Sequence, residues 1–169
     1  MILIFAVDEN WNIGVRGGML VEIYEDLKRF REITEGNIVI MGRKTLDAIP
    51  GQGPLPNREN IIVTRNPDFY REGFHLLNDL DNLEELVSKI DPEGKMEVFV
   101  TGGESIVEQL ISKCNKAYIT KILKSYELTD TSVPNLDLDP NWEVVDASDI
   151  RKQGNLEYKY VDYRRIKNS

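Results

Sequence analysis

Val98-Phe99-Val100-Thr101-Gly102-Gly103-Glu104-Ser105 joins a strand-sized apolar run to paired glycines and then to a segment of helical period. Ile106, Val107, Leu110 and Ile111 recur at the spacing that puts side chains on one helix face. A strand over residues 96–101, a tight junction and a packed helix are therefore predicted in succession. A buried strand that turns directly into a helix is the building unit of an α/β sheet. The same grammar appears upstream, where Ile38-Val39-Ile40-Met41 runs into Gly42-Arg43-Lys44-Thr45. There a short buried strand over residues 37–41 precedes a short helix over 44–49, closed by Pro50-Gly51.

Outward from these two junctions the alternation continues. Residues 2–7, 60–64, 74–77 and 117–122 read as strands, and 25–34 as a helix with Leu27 and Phe30 three apart. Residues 81–90 are amphipathic, with Leu83, Leu86, Val87 and Ile90 on one face and a capping box predicted from Asp81 and Glu84. From Trp142 the character changes to two alternating stretches, 142–149 and 157–166, around Gln153-Gly154-Asn155, which predicts a hairpin. The expectation is an α/β fold: one domain over 1–169, built on an open, mostly parallel sheet with flanking helices and an antiparallel C-terminal hairpin.

Composition narrows the function classes. The 169 residues are enough for one domain with a full core. A balance of 21 basic against 29 acidic residues gives a net charge of −8, and no concentrated basic patch stands out. Nucleic acid is not an expected partner. The longest apolar runs, such as Asn60-Ile61-Ile62-Val63, are too short to span a bilayer, so no membrane association is expected. Met1-Ile2-Leu3-Ile4-Phe5-Ala6-Val7 lacks the basic start and cleavage site of a signal peptide and reads as a first strand. Cys114, the sole cysteine, forbids an intramolecular disulfide and fits a reducing cytoplasm. His75, the sole histidine, has no companion at ligand spacing, so no protein-built metal site is expected.

Three segments carry candidate chemistry. The two strand-to-helix junctions suit a phosphate, because glycines let a backbone approach closely and a helix start offers free N–H groups. Each has a plainer reading, Gly102-Gly103 as a turn and Arg43-Lys44 as a solvated pair. Neither is a G-x-G-x-x-G fingerprint. The third segment runs from Asn12-Ile13-Gly14 through Gly17-Gly18-Met19 to Glu25-Asp26-Leu27-Lys28-Arg29-Phe30. A glycine-rich loop leads into a helix that opens with acids, and Asp26 and Phe30 share a helix face. Asp26 could merely complement the helix dipole, or it could stand beside an apolar slot and pair with a flat, polar heterocycle.

The order of these motifs resembles dihydrofolate reductase. Ile13-Gly14, Glu25 through Phe30, Ile40-Met41-Gly42-Arg43-Lys44-Thr45, Pro54-Leu55-Pro56-Asn57-Arg58, Ile62-Val63-Thr64-Arg65, Thr101-Gly102-Gly103, Ala117-Tyr118-Ile119-Thr120 and Asp130-Thr131 follow in sequence across essentially the whole chain. The resemblance implies an NADPH-dependent oxidoreductase that reduces 7,8-dihydrofolate to tetrahydrofolate, by hydride transfer to C6 and protonation at N5. Such an enzyme supports one-carbon metabolism and thymidylate synthesis. It implies that Asp26 holds the pterin, that Thr120 supports that pairing, and that Ile4, Ala6, Leu27, Phe30, Ile49 and Leu55 line the substrate slot. Arg58 matches the arginine that grips the substrate's glutamate carboxylate, a task suited to its planar fork; read alone, it could be a surface arginine.

For the cofactor, the resemblance implies Gly42, Arg43, Lys44 and Thr45 on the pyrophosphate and adenosine side, with Thr64 and Arg65 near the adenosine 2′-phosphate. Thr101, Gly102, Gly103, Glu104, Ser105 and Ile106 form the second cofactor junction, with a cis peptide bond between the two glycines. Ile13, Gly14 and Met19 belong to the loop that closes over the nicotinamide, with Ala6 beneath it and Met19 counted with Asp26 and Thr120 in the catalytic set. A monomer open to antifolate inhibitors is expected.

Four positions depart from the family pattern. Val21 stands where a tryptophan is usual, Tyr24 where a proline often starts the helix, and Val107 where a tyrosine approaches the ligands. Glu104 adds an acid beside a phosphate-suited junction. Val21 and Val107 motivate one competing reading, a catalytically weak folate- or nucleotide-binding homologue. A second, the pyrimidine reductase of riboflavin biosynthesis, is similar in fold and cofactor, and Asp26 argues against it.

Overall fold

The computed structural model describes residues 1–166; the last three positions of the expected domain lie outside them. The chain opens with β1 (Ile2–Val7), β2 (Asn12–Val15) and β3 (Gly18–Met19), followed by helix α1 (Tyr24–Thr34). Strand β4 (Ile38–Gly42) leads into α2 (Arg43–Leu46), then β5 (Glu59–Val63), β6 (His75–Leu77) and α3 (Leu83–Ile90). Next come β7 (Val98–Gly102), α4 (Glu104–Leu110), β8 (Lys116–Ile122), β9 (Thr131–Ser132), β10 (Trp142–Ala147), β11 (Arg151–Gln153) and β12 (Leu156–Arg165).

The main sheet has the order β10-β12-β8-β1-β7-β4-β5-β6, with β11 also paired to β12. From β8 to β6 every neighbouring pair is parallel, while β12 runs antiparallel to β8, β10 and β11. This is the open, mostly parallel sheet expected, with its antiparallel C-terminal edge. Winding explains where a site can form. The chain steps outward from β1 to β4, β5 and β6, then returns to set β7 and β8 on either side of β1. Connections that leave in opposite directions open a crevice at the carboxyl ends of the central strands.

Strand alternation sorts the core into two layers. On one face Leu3, Val7, Ile38, Ile40 and Val100 join Leu83 of α3 and Val107 and Leu110 of α4. On the other, Ile2, Ile4, Val39, Met41 and Phe99 pack with Leu46 of α2 and with Phe30 and Ile33 of α1. Every residue of β4 from Ile38 to Met41 is buried, so truncating one, as in Ile40→Ala, costs about 2–5 kcal/mol. That double coverage makes the strand the rigid floor of the junction that follows it.

Three features differ from the sequence-based expectation. Asp79, not Asp81, caps the third helical segment: its carboxylate accepts the Asp81 N–H at 2.9 Å and starts a 3-10 turn over Leu80–Asn82 that runs into α3. An acid two residues ahead of its donor closes a local turn before any helix-period pattern begins. The hairpin is interrupted, because β10 ends at Ala147 and β11 resumes the pairing to β12 at Arg151. Finally, the segment expected as a loop contains two strands, β2 and β3, which join the distant β9 in a second, three-stranded sheet in the order β3-β2-β9. Arg16 and Gly17 both take positive φ, 51° and 79°, which is the geometry of a tight hairpin turn. Two- and four-residue strands carry too little alternation to be legible.

Candidate active site

A cleft of about 1470 Å³ crosses the carboxyl ends of β1, β4, β5, β7 and β8. It collects every residue that the resemblance assigned to substrate, cofactor or catalysis. Ile4, Ala6, Leu27, Phe30, Ile49, Leu55 and Arg58 line one end with Asp26 and Thr120, and Ile13, Gly14 and Met19 roof the middle. Gly42, Arg43, Lys44, Thr45, Thr64, Arg65, Thr101, Gly102, Gly103, Glu104, Ser105 and Ile106 line the other end.

Asp26 sits in the first turn of α1, above the register pair Ala6 on β1 and Thr120 on β8. The Thr120 hydroxyl donates to Asp26 Oδ1 at 2.5 Å. Thr120 itself is buried, at 3% exposure. Desolvation pushes the Asp26 carboxyl above the ordinary aspartate range; the Thr120 bond and the Arg29 charge oppose that without overcoming it. A second oxygen remains for a planar donor pair. Ile4, Phe30 and Ile49 supply apolar walls.

The start of α1 is held by a distant residue. Ile23 at the helix boundary offers no side-chain cap. Instead the Tyr24 N–H donates to Gln153 Oε1 at 2.8 Å, and Gln153 Nε2 donates to the Glu22 carbonyl at 2.9 Å. Proline has no N–H to satisfy; tyrosine does. The tip of the C-terminal hairpin thus meets the requirement that Tyr24 creates.

At the outer rim Arg58 is pre-oriented. Its Nη1 donates to Thr34 Oγ1 and its Nε to the Pro56 carbonyl, each at 3.0 Å, with the Phe30 ring 5.8 Å from its guanidinium carbon. Thr34 Oγ1 in turn donates to the Phe30 carbonyl at 2.8 Å, tying the arginine to the last turn of α1. Burial lowers the Arg58 pKa from its ordinary value, with Glu35 opposing the shift and Arg31 adding to it. Leu27 keeps 39% exposure at this rim, an apolar surface that a ligand ring would cover.

At the opposite end the peptide Gly102-Gly103 is cis and Gly102 takes φ 126°. A side chain on Gly42 would come within 3.2 Å of Ile106 Cγ1, and one on Gly103 within 3.7 Å of Thr45 Oγ1. The two glycine junctions therefore face each other across a narrow gap. Arg43 pairs with Asp47 at 2.7 Å. The roof is tied down from β9: Gly14 pairs with Met19 and Thr131, and the Arg16 N–H donates to Asp130 Oδ2 at 2.8 Å.

The departures acquire structural settings. Val21 lines the cleft and packs with Ile23, Ile122 and Tyr158. Val107 is fully buried in the core and does not line the cleft, whereas Phe5 of β1 packs against the same cluster and does. Glu104 accepts from Ser132 Oγ at 3.5 Å, which turns the acid toward β9.

Sequence reading missed several lining residues, including Phe5, Arg29, Arg31, Gln109 and the turn 78–81. The turn had a usable signal, since it follows a strand whose parallel neighbours already carried site residues. Arg29 and Arg31 had none, because surface and cleft arginines on a helix look alike.

The family model for dihydrofolate reductase matches residues 1–165. Over 164 residues the chain is 34% identical to dihydrofolate reductase of Mycobacterium leprae (strain TN), covering 96% of each chain. It is 36% identical to that of Bacillus subtilis (strain 168) over 157 residues, 93% of this chain and 88% of the relative. Among solved structures, dihydrofolate reductase from Enterococcus faecalis, complexed with NADP(H) and RAB-propyl, superimposes with a TM-score of 0.80 at 33% identity. The match covers 97% of this chain and 95% of that one. With its ordered motifs, its sheet and its cleft in agreement, this chain belongs to the dihydrofolate reductase family.

Proposed function

We infer that the cleft reduces 7,8-dihydrofolate to 5,6,7,8-tetrahydrofolate with NADPH, and that the residues gathered in it divide that work as follows. The observation that carries the reading is the Asp26–Thr120 pair, a half-buried acid held by a buried strand hydroxyl at the floor of an apolar slot. Asp26 receives the pterin's amino and ring N–H groups, and Thr120 fixes which carboxylate oxygen is free to do so. Phe30, Ile49 and Leu55 cover the faces of the rings, and Arg58 takes the glutamate carboxylate through its forked N–H groups.

The cleft fits NADPH. Gly42 and Gly103 face each other closely, a Cβ on Gly42 coming within 3.2 Å of Ile106 Cγ1 and 3.7 Å of the Gly103 nitrogen, and Arg43, Lys44 and Arg65 stand at the end where phosphates would lie. Thr64 and Arg65 are suited to the 2′-phosphate, and Ser105 and Thr45 to the pyrophosphate. When bound there, NADPH supplies the hydride that reduces C6. Ala6 and the Ile13–Met19 hairpin hold the two rings against each other and keep bulk water out. Asp26 favours the protonated pterin, and the proton reaches N5 through water.

Val21 and Val107 motivate the weaker-homologue reading, yet neither removes the Asp26–Thr120 pair. Following NADPH oxidation by the purified protein with dihydrofolate tests the assignment directly. Steady turnover supports it. Tight binding of both ligands without turnover would favour the binder, and turnover only with the pyrimidine riboflavin precursor would favour the other reductase. The same slot would accept antifolates that offer Asp26 a similar donor pair. A monomeric enzyme of a reducing cytoplasm is the setting proposed.

A further inference from the structure

Arg29 lies one turn beyond Asp26 on α1 and lines the same cleft. Its guanidinium is fixed from three sides. The carbon lies 4.2 Å from the centre of the Tyr160 ring and 5.9 Å from that of Tyr118, and Nη2 donates to Asp162 Oδ1 at 3.4 Å. The side chains of Arg29 and Asp162 each keep 26% exposure, so the charge is only partly screened by water. A cation stacked on an aromatic face and tethered through a long ion pair is held in place but not neutralised.

We propose that Arg29 is a positioning residue for the reduction, supplying from the β12 side the positive charge that keeps Asp26 available as a carboxylate in its buried pocket. The proposal deepens the function inferred above and rests on Asp26 as the pterin anchor. Burial works against the carboxylate, and the Thr120 hydroxyl and the Arg29 charge are what oppose it. The other groups near the pair act differently. Tyr160, pushed up to about 12 by burial and by the negative charge of Asp26, stays a neutral ring. Tyr158 lies beside Tyr160 on β12, Arg151 of β11 reaches the outer face of the Tyr160 ring at 5.4 Å, and Glu22 lines the cleft from the loop before α1. Ile4 and Ala6 of β1 carry no charge. Asp162 competes with Asp26 for Arg29, and burial raises its own pKa against that attraction.

The test is the titration of Asp26 followed by the carbon-13 resonance of its side-chain carboxyl in the apoenzyme. Arg29→Met keeps the length of the side chain and removes the charge; the titration should move to higher pH by about one unit. Arg29→Lys retains the charge and should stay near the parent. Asp162→Asn releases Arg29 from its competitor and should move the titration to lower pH. An unmoved titration in Arg29→Met, or in Asp162→Asn if the methionine variant does not fold, overturns the proposal. The acid limb of kcat/KM for dihydrofolate should shift with the resonance. A resonance that moves while the kinetic limb stays fixed would leave the electrostatic link standing and reject Asp26 as the pterin anchor.

Discussion

Gln153 and Tyr24 lie 129 residues apart and meet in a 2.8 Å hydrogen bond that caps the helix carrying Asp26. The same amide returns a bond to the Glu22 carbonyl, so one side chain closes both the N–H and the C=O of the entering backbone. Gln153→Ala leaves the Tyr24 N–H without its protein partner. Stability should fall by about 0.5–2 kcal/mol, as for loss of a helix cap. Urea unfolding checks that figure, and steady-state kinetics should show lower turnover with dihydrofolate. A variant as stable and as active as the parent would show that the cap does not hold Asp26.

Asp26→Asn separates function from stability. Turnover should drop by about 10²-fold or more, because the amide presents an N–H where the pterin needs an acceptor. Stability should move the other way. The folded pKa of Asp26 is raised, so its ionisation disfavours the native state as pH climbs through that value. Asparagine escapes that cost. Its melting temperature should exceed the parent's at neutral pH, and the gap should close as the pH falls below the unfolded aspartate value. Melting curves across that range decide the sign.

The main sheet and the helices were legible because each rests on a local signal: apolar period, glycine at a strand end, or acid at a helix start. Most of the cleft residues were reached only through the ordered resemblance to the family. The glycines at Gly42 and Gly102-Gly103 are needed by backbone geometry, and such needs are written in residue type. What stayed hidden depends on partners far along the chain. Nothing near Gln153 announces a cap for Tyr24, and nothing near Arg29 announces Tyr160 and Asp162. Val107 illustrates a related limit. Its departure was visible, but its burial in the core away from the cleft required the packing of α4 against the sheet to be known.

Arg58→Leu should act on the substrate alone. Hydrogen bonds to a charged group contribute about 1.5–3 kcal/mol, so KM for dihydrofolate should rise roughly 10- to 100-fold. KM for NADPH should hold steady, since Arg58 lines the end of the cleft away from Arg43 and Arg65. A pterin substrate without the glutamate tail offers the control: parent and variant should reduce it alike.

Arg65→Ala should weaken cofactor choice more than cofactor chemistry. The arginine is exposed at the end of β5, so water screens its charge and the effect is moderate. KM for NADPH should rise about 10-fold, while KM for NADH, which has no 2′-phosphate, should stay constant. Equal changes with both cofactors would move Arg65 away from the 2′-phosphate.

Gly14→Ala addresses the roof. A Cβ at this position would stand 2.6 Å from the Gly18 carbonyl oxygen and 3.0 Å from Thr131 Oγ1. The first contact is with backbone, so β3 must move away from β2, and Met19, the register partner of Gly14, moves with it. Displacing a positioning element by about an ångström can cost on the order of 10- to 100-fold, and kcat/KM for NADPH should fall within that span. The small sheet β3-β2-β9 stands apart from the main sheet, so the melting temperature should change little. Parallel losses of stability and activity would mean that the roof is part of the folding core, whereas loss of activity alone marks it as a closing element over the two rings.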